Sequence, residues 1–114
     1  MDLYNDLMQK QKELDICIKS LRKTGNDYAE AYTNYRIKLS QELIRLRDEG
    51  MPVTIAYDVA RGKQEIAKAK FNEISKEAIY KANLESINAI KLQIKILDNQ
   101  LEKEWGNAKW YLNY

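Results

Sequence analysis

The sequence predicts an all-α fold: a long antiparallel helical hairpin in which two helices of about 40 residues each are joined by an elbow with a short helix. The composition is typical of a helical protein, with 32% charged and 45% hydrophobic residues, one proline and four glycines among 114 residues. The proline and two of the glycines lie in one stretch, Leu46–Gly62, between two long runs with helical spacing. We expect a single domain over residues 1–106 and an aromatic tail over residues 107–114.

The first long helix is expected over residues 2–49. Two apolar rows fill most of the a and d positions of a heptad repeat. The first row is Leu7, Leu14, Leu21, Tyr28 and Tyr35, and the second, four positions on, is Tyr4, Ile18, Tyr32, Leu39 and Leu46. Gly25 is a weak point, where the alternative is a break with Asp27 capping a second helix. Because the heptad phase passes Gly25 without a slip, we favour one continuous helix.

The elbow is expected over residues 50–62. Gly50 stands where a helix takes a left-handed C′ residue, and Pro52 follows where the helix cannot continue. Thr54 is predicted to cap a short helix over residues 55–60. That helix would turn three apolar side chains inward: Ile55, Tyr57 and Val59.

The second long helix is expected over residues 63–104, with Gly106 breaking it before the tail. Its apolar stripe begins with Ala67, Phe71, Ile74 and Ala78 and continues with Ile87, Ile90, Ile94, Leu97 and Leu101. Leu92 and Ile96 add a second apolar face. Since a helix that is apolar on two faces needs more than one neighbour, we expect the hairpin to assemble into a multi-helix bundle, with a homodimer favoured.

Enzyme activity is not expected, because the chain has no histidine and only one cysteine. Imidazole-based triads and thiolate zinc sites are therefore excluded, and no phosphate-binding glycine loop is present. Glu73 and Glu77 could formally share a metal, but interleaved lysines favour a solvated face with ion pairs. We expect no catalytic residue, cofactor or metal. Cys17 is interpreted as a small apolar filler in a reducing compartment, the alternative being a reactive thiol.

The net charge of +2 is too balanced to indicate nucleic-acid or membrane binding. The N-terminus lacks the apolar segment of a signal peptide. The most apolar run, Ile87–Leu97, is interrupted by polar residues and cannot cross a bilayer. We expect a soluble, cytoplasmic protein that makes no membrane contact.

Three surfaces are candidates for binding. An elbow patch that would contact a protein partner consists of Arg45, Arg47, Asp58 and Arg61. The alternative for this patch is that its arginines complement the helix dipole and pair with nearby acids. The aromatic tail either covers the bundle end or is offered to a partner, through Trp105, Trp110, Tyr111 and Tyr114. A lysine run that would contact nucleic acid, or would be an ordinary solvated face, consists of Lys63, Lys68, Lys70, Lys76 and Lys81.

Three segments carry a resemblance: LYNDLMQKQKELD, RLRDEGMPVTIAYDVARG and INAIKLQIKILDNQLEKEWG. Together they resemble small helical proteins of unassigned function from phages and prophages of Gram-positive bacteria, encoded among early replication and recombination genes. The resemblance implies a phage-encoded protein in the host cytoplasm. We expect a non-enzymatic module that binds a host, defence or phage replication protein and acts by steric occupation or recruitment. The alternative is a DNA- or RNA-binding accessory of phage replication or recombination.

Overall fold

The protein has three helices in the computed structural model, which describes residues 2–112, with side chains described as far as Gly106. The helices are α1 (Leu3–Asp48), α2 (Val53–Gly62) and α3 (Gln64–Leu112). α1 and α3 pack against each other, and no strand occurs among residues 2–112. The predicted all-α hairpin with a short helix in its elbow is therefore confirmed.

The chain divides into two compact units. The elbow unit comprises residues 22–81, and the terminal unit comprises residues 1–21 together with residues 82–114. α1 runs without interruption through Gly25, as the unbroken heptad phase predicts. A Cβ atom at Gly25 would lie 3.3 Å from Cε1 of Tyr80, so this glycine lets the tyrosine ring approach α1 closely.

α1 ends in a Schellman motif. Gly50 has a φ of 90°, its N–H donates to the carbonyl of Arg47 over 3.0 Å, and the N–H of Met51 donates to the carbonyl of Leu46 over 3.0 Å. The side chain of Met51 packs against the buried core that includes Leu46, which is the apolar contact typical of this motif. The predicted C′ role of Gly50 is confirmed.

α2 differs from the prediction in its cap and in its buried face. Its N-cap is Pro52, without a side-chain cap, and Thr54 lies inside the helix. The residues that α2 buries are Ala56 and Ala60. The apolar side chains predicted to face inward, those of Ile55, Tyr57 and Val59, are between 39% and 49% exposed. Because alanine has a small side chain, it lets this short helix lie close to its neighbours, and the bulky residues flank the contact.

The core of the elbow unit is formed by Tyr35, Leu39, Leu46, Ala56, Ala60, Ile66 and Ala69. The first predicted row of α1 faces inward throughout. The second row is wrong at three positions, because Tyr4, Ile18 and Tyr32 are 47–58% exposed. Instead, the inward-facing companions of the first row lie three residues after its members, not four. They are Lys10, Cys17, Thr24 and Ala31. At Tyr35 the spacing changes to four, which brings Leu39 inward, so α1 contains one shift of register.

The first half of the stripe predicted for α3 faces solvent. Phe71 is 73% exposed and Ile74 is 55% exposed, whereas Ile66, Ala69 and Glu73 are buried. Ala67 and Ala78 are also exposed. The prediction is wrong here because it followed apolar residues alone, whereas the fold buries Glu73 beside Lys70.

The second half of the α3 stripe is confirmed. In the terminal unit Ile87 is buried, and four further apolar residues are partly buried: Ile90, Ile94, Leu97 and Leu101. The second face is also present, because Leu92 and Ile96 are 59% and 49% exposed. Asn83 Nδ2 donates to the carbonyl of Cys17 over 2.9 Å. α3 does not break at Gly106 but continues to Leu112.

Candidate functional site

The elbow patch is divided by the structure into two places. Arg45 binds Glu42 through Nε at 3.1 Å and Nη2 at 2.6 Å, and it also binds Glu49 through Nη1 at 2.5 Å. Arg47 Nη1 donates to the carbonyl of Met51 over 3.0 Å. These two arginines therefore stabilise the end of α1, as the dipole-and-pairing alternative predicts. Asp58 and Arg61 lie on α2 and line a separate groove.

Glu42 is the centre of an ion-pair cluster that sequence reasoning missed. Besides Arg45, its Oε1 contacts Lys63 Nζ at 2.7 Å, which joins α1 to the residue between α2 and α3. The side chain of Glu42 is only 15% exposed. Its hydrogen bonds to Arg45 and Lys63 lower the pKa of Glu42 to about 2. Glu42 and Lys63 are far apart in the sequence, so no local spacing rule pairs them.

The groove that contains Asp58 and Arg61, called here the elbow groove, has a volume of about 440 Å³. Its lining is Tyr35, Asp58, Arg61, Gly62, Ala67, Lys70, Phe71 and Ile74. Two cations lie over tyrosine rings: Arg61 Cζ is 5.4 Å from the Tyr57 centroid and Lys70 Nζ is 4.7 Å from the Tyr35 centroid. The groove thus combines exposed apolar side chains with two cations held in place by aromatic rings.

Lys70 also neutralises the buried carboxylate of Glu73. Lys70 Nζ lies 2.8 Å from Glu73 Oε2, and this ion pair compensates the buried negative charge and raises the pKa of Lys70. The neighbouring carboxylate of Glu77 accepts a hydrogen bond from Tyr28 and raises the pKa of that phenol. The Tyr28 ring packs on Tyr80 with centroids 6.0 Å apart. The hydrogen bond between Tyr28 and Glu77 joins α1 to α3. No group of three or more potential metal-ligating side chains occurs within residues 2–106.

A second groove lies on α1 and was not predicted. It is called here the α1 outer face, has a volume of about 510 Å³ and is lined by Tyr32, Thr33, Arg36, Ile37, Ser40, Gln41 and Ile44. Each residue advances an α-helix by about 100°, so Ile37 and Ile44 lie opposite the buried Tyr35 and Leu46. Their side chains are accordingly 51% and 62% exposed. The signal in the sequence is the seven-residue spacing of the two isoleucines, which the two-row heptad assignment left unused.

The predicted nucleic-acid contacts are largely engaged within the elbow unit. Lys63 pairs with Glu42, Lys70 pairs with Glu73, and Lys81 Nζ lies 2.7 Å from Glu77 Oε1. Lys76 lies in a polar groove that includes the carboxylates of Asp27 and Glu30. Lys68 is exposed. The lysine run therefore carries little net positive charge.

The aromatic tail is described only in part. Trp105 lies on α3 and is 68% exposed. The backbones of Trp110 and Tyr111 belong to α3, while their side chains and all of Tyr114 lie outside the described part of the chain.

Comparisons with protein-family models, curated proteins and solved structures found no match. None of the helices in the described chain is long and apolar enough to span a membrane.

Proposed function

We propose that the protein is a non-enzymatic binding module that occupies or recruits another protein through the α1 outer face. The observation that carries this proposal is the pair of exposed isoleucines, Ile37 and Ile44, on the side of α1 opposite the core. The resemblance to phage and prophage proteins supports a phage-encoded module in the host cytoplasm. A host, defence or phage replication protein is then the proposed target.

The chemistry of the α1 outer face favours an amphipathic helix as the bound element. Ile37, Ile44 and Tyr32 supply apolar anchors, and complete burial of one such side chain is worth about 1.5–3 kcal/mol. Ser40 lies between the isoleucines and leaves room for a partner helix to approach. Because all of these residues lie on one helix, the face would pack against a partner helix as two helices pack side by side.

Two arginines suit an acidic residue on the partner. Arg36 lines the α1 outer face itself, and Arg47 lies one helical turn beyond Ile44. Arg47 is exposed and holds a backbone carbonyl, so its guanidinium is oriented while retaining further donors. This is the part of the predicted elbow patch that we retain for partner binding.

The test is capture of proteins from lysate of a Gram-positive host by matched variants. Ile37→Asp with Ile44→Asp places two charges on the α1 outer face, and we expect it to abolish capture of any specific partner while helical circular dichroism is unchanged. Val53→Asp with Ile79→Asp is the matched control, because it places two charges on exposed apolar side chains that lie outside the elbow groove and the α1 outer face. Loss of partner capture in the control variant, or retained capture in the variant of Ile37 and Ile44, would contradict the proposal.

The same material tests the nucleic-acid alternative. Binding to single- or double-stranded DNA that disappears at moderate salt would be the signature of phosphate contacts by the lysine run. Because three of those five lysines are paired with carboxylates, we expect no shift of labelled DNA at low salt.

A further inference from the structure

An exposed apolar stripe on α3 remains unused by the core and by the α1 outer face. It consists of Ala67, Phe71, Ile74 and Ala78 and is called here the α3 stripe. Phe71 and Ile74 are among the most exposed large apolar side chains of the elbow unit, at 73% and 55%. The stripe lies on the side of α3 opposite Ala69, which is buried. Ala67, Phe71 and Ile74 also line the elbow groove, so a partner chain on this stripe would contact one side of that groove.

The α3 stripe has the same spacing and the same order of side-chain sizes in both directions along the helix. Its steps are four, three and four residues, and its sizes run small, large, large, small. When two copies of α3 meet antiparallel, Phe71 of each copy comes level with Ile74 of the other, and Ala67 comes level with Ala78. An interface that repeats itself under a two-fold rotation needs such self-complementarity.

Two charges beside the stripe, Lys70 and Glu77, are placed for a self-complementary contact. Lys70 and Glu77 lie seven residues apart on the edge of the stripe that faces α1. Each is paired within the chain, with Glu73 and Lys81, but their side chains remain 42% and 31% exposed. An antiparallel two-fold pair brings like edges together, so Lys70 of one copy lies near Glu77 of the other, and the same pair recurs on the opposite side of the axis. A parallel in-register pair would instead place this edge against the opposite edge of the stripe, where Lys68 is the flanking charge.

We propose that the occupant of the α3 stripe is a second copy of this chain, bound antiparallel about a two-fold axis between Phe71 and Ile74. This inference gives a surface and a direction to the homodimer expected from the sequence. It uses a different face from the one assigned to the partner, so the two assignments stand or fall separately.

Disulfide trapping tests the direction of pairing. In a Cys17→Ser background, Ile74→Cys lies close to the axis, with the two cysteines offset by about 4.5 Å along the helices, and we expect it to oxidise to a covalent dimer. Ala67→Cys alone would be offset from its own copy by about 16 Å and should not cross-link. A mixture of Ala67→Cys and Ala78→Cys chains should cross-link. Self-cross-linking of Ala67→Cys would instead indicate a parallel pair and overturn the proposal.

The mass in solution, measured by sedimentation equilibrium, tests the surface. We expect a dimer for the wild-type chain, a monomer for Phe71→Asp and a dimer for Ile79→Asp, whose exposed side chain lies on α3 outside the stripe. A wild-type monomer, or a dimer that survives Phe71→Asp, would overturn the inference. Either result would leave the capture experiment on Ile37 and Ile44 unaffected.

Discussion

At the scale of single residues, Gly25 shows how a helix breaker is retained inside a continuous helix. Glycine costs about 1 kcal/mol relative to alanine in a helix interior. In return, the absence of a Cβ lets the Tyr80 ring pack beside Tyr28 and close to the backbone of α1. At Gly25 the low helix propensity of glycine therefore lowers stability, while the aromatic contact that it permits raises it.

This opposition predicts coupling between Gly25 and Tyr80. Gly25→Ala should stabilise the chain by less than about 1 kcal/mol, because the new Cβ would stand 3.3 Å from the Tyr80 ring. In a Tyr80→Ala background the gain should be larger. Urea unfolding of the four chains measures both values. Gly106→Ala is the helical control without neighbours within 4 Å, and equal gains in both backgrounds would rule out the coupling.

The carboxylate of Glu42 predicts a specific acid dependence. Its folded-state pKa of about 2 lies below the ordinary value of 4.5, so its contribution to stability is complete above pH 4.5 and is lost as pH falls to about 2. Glu42→Gln should therefore lower the melting temperature at neutral pH, and the difference from wild type should vanish towards pH 2. Thermal unfolding followed by circular dichroism measures this. A difference that does not change with pH would contradict the role assigned to Glu42.

At the scale of elements, the end of α1 depends on one backbone conformation. Gly50 adopts a φ of 90°, and nothing lies within 4 Å of the position of an added Cβ. Gly50→Ala should thus cost about 1–2 kcal/mol, from the left-handed conformation alone. Gly62→Ala, also without neighbours, is the control and should cause no comparable loss. If the two variants unfold at the same urea concentration, the Schellman motif does not control the elbow.

The helices themselves could be predicted because periodicity and breakers are local properties. Gly50 and Pro52 place the elbow, and the heptad phase across Gly25 places one helix where two were conceivable. The inward faces were predicted less well. Counted from Tyr28, the residue three positions on is Ala31, which is buried, and the residue four positions on is Tyr32, which is exposed. Sequence spacing alone allows both offsets, and the packing against α3 decides between them.

At the scale of the whole molecule, the sites were harder to predict than the fold. The α3 stripe resembles a core because its four residues are apolar, whereas the buried face contains Glu73. The contact with Lys70 compensates the charge of that carboxylate, and such compensation depends on side-chain placement. Similarly, Arg45 was expected to contact a partner, but its guanidinium is bound to Glu42 and Glu49 within the elbow unit. Exposed charge in a sequence therefore overstates the surface available for binding.

The most direct test of the central claim is photo-cross-linking from the α1 outer face in host cells. A photoreactive phenylalanine derivative is placed at Ile37 in one chain and at Lys38, exposed on the same helix but outside that face, in another. We predict one discrete protein adduct from position 37, with a mass different from that of two copies of the chain, and none from position 38. The same adducts from both positions, or none from position 37, would contradict the assignment of this face to a protein partner.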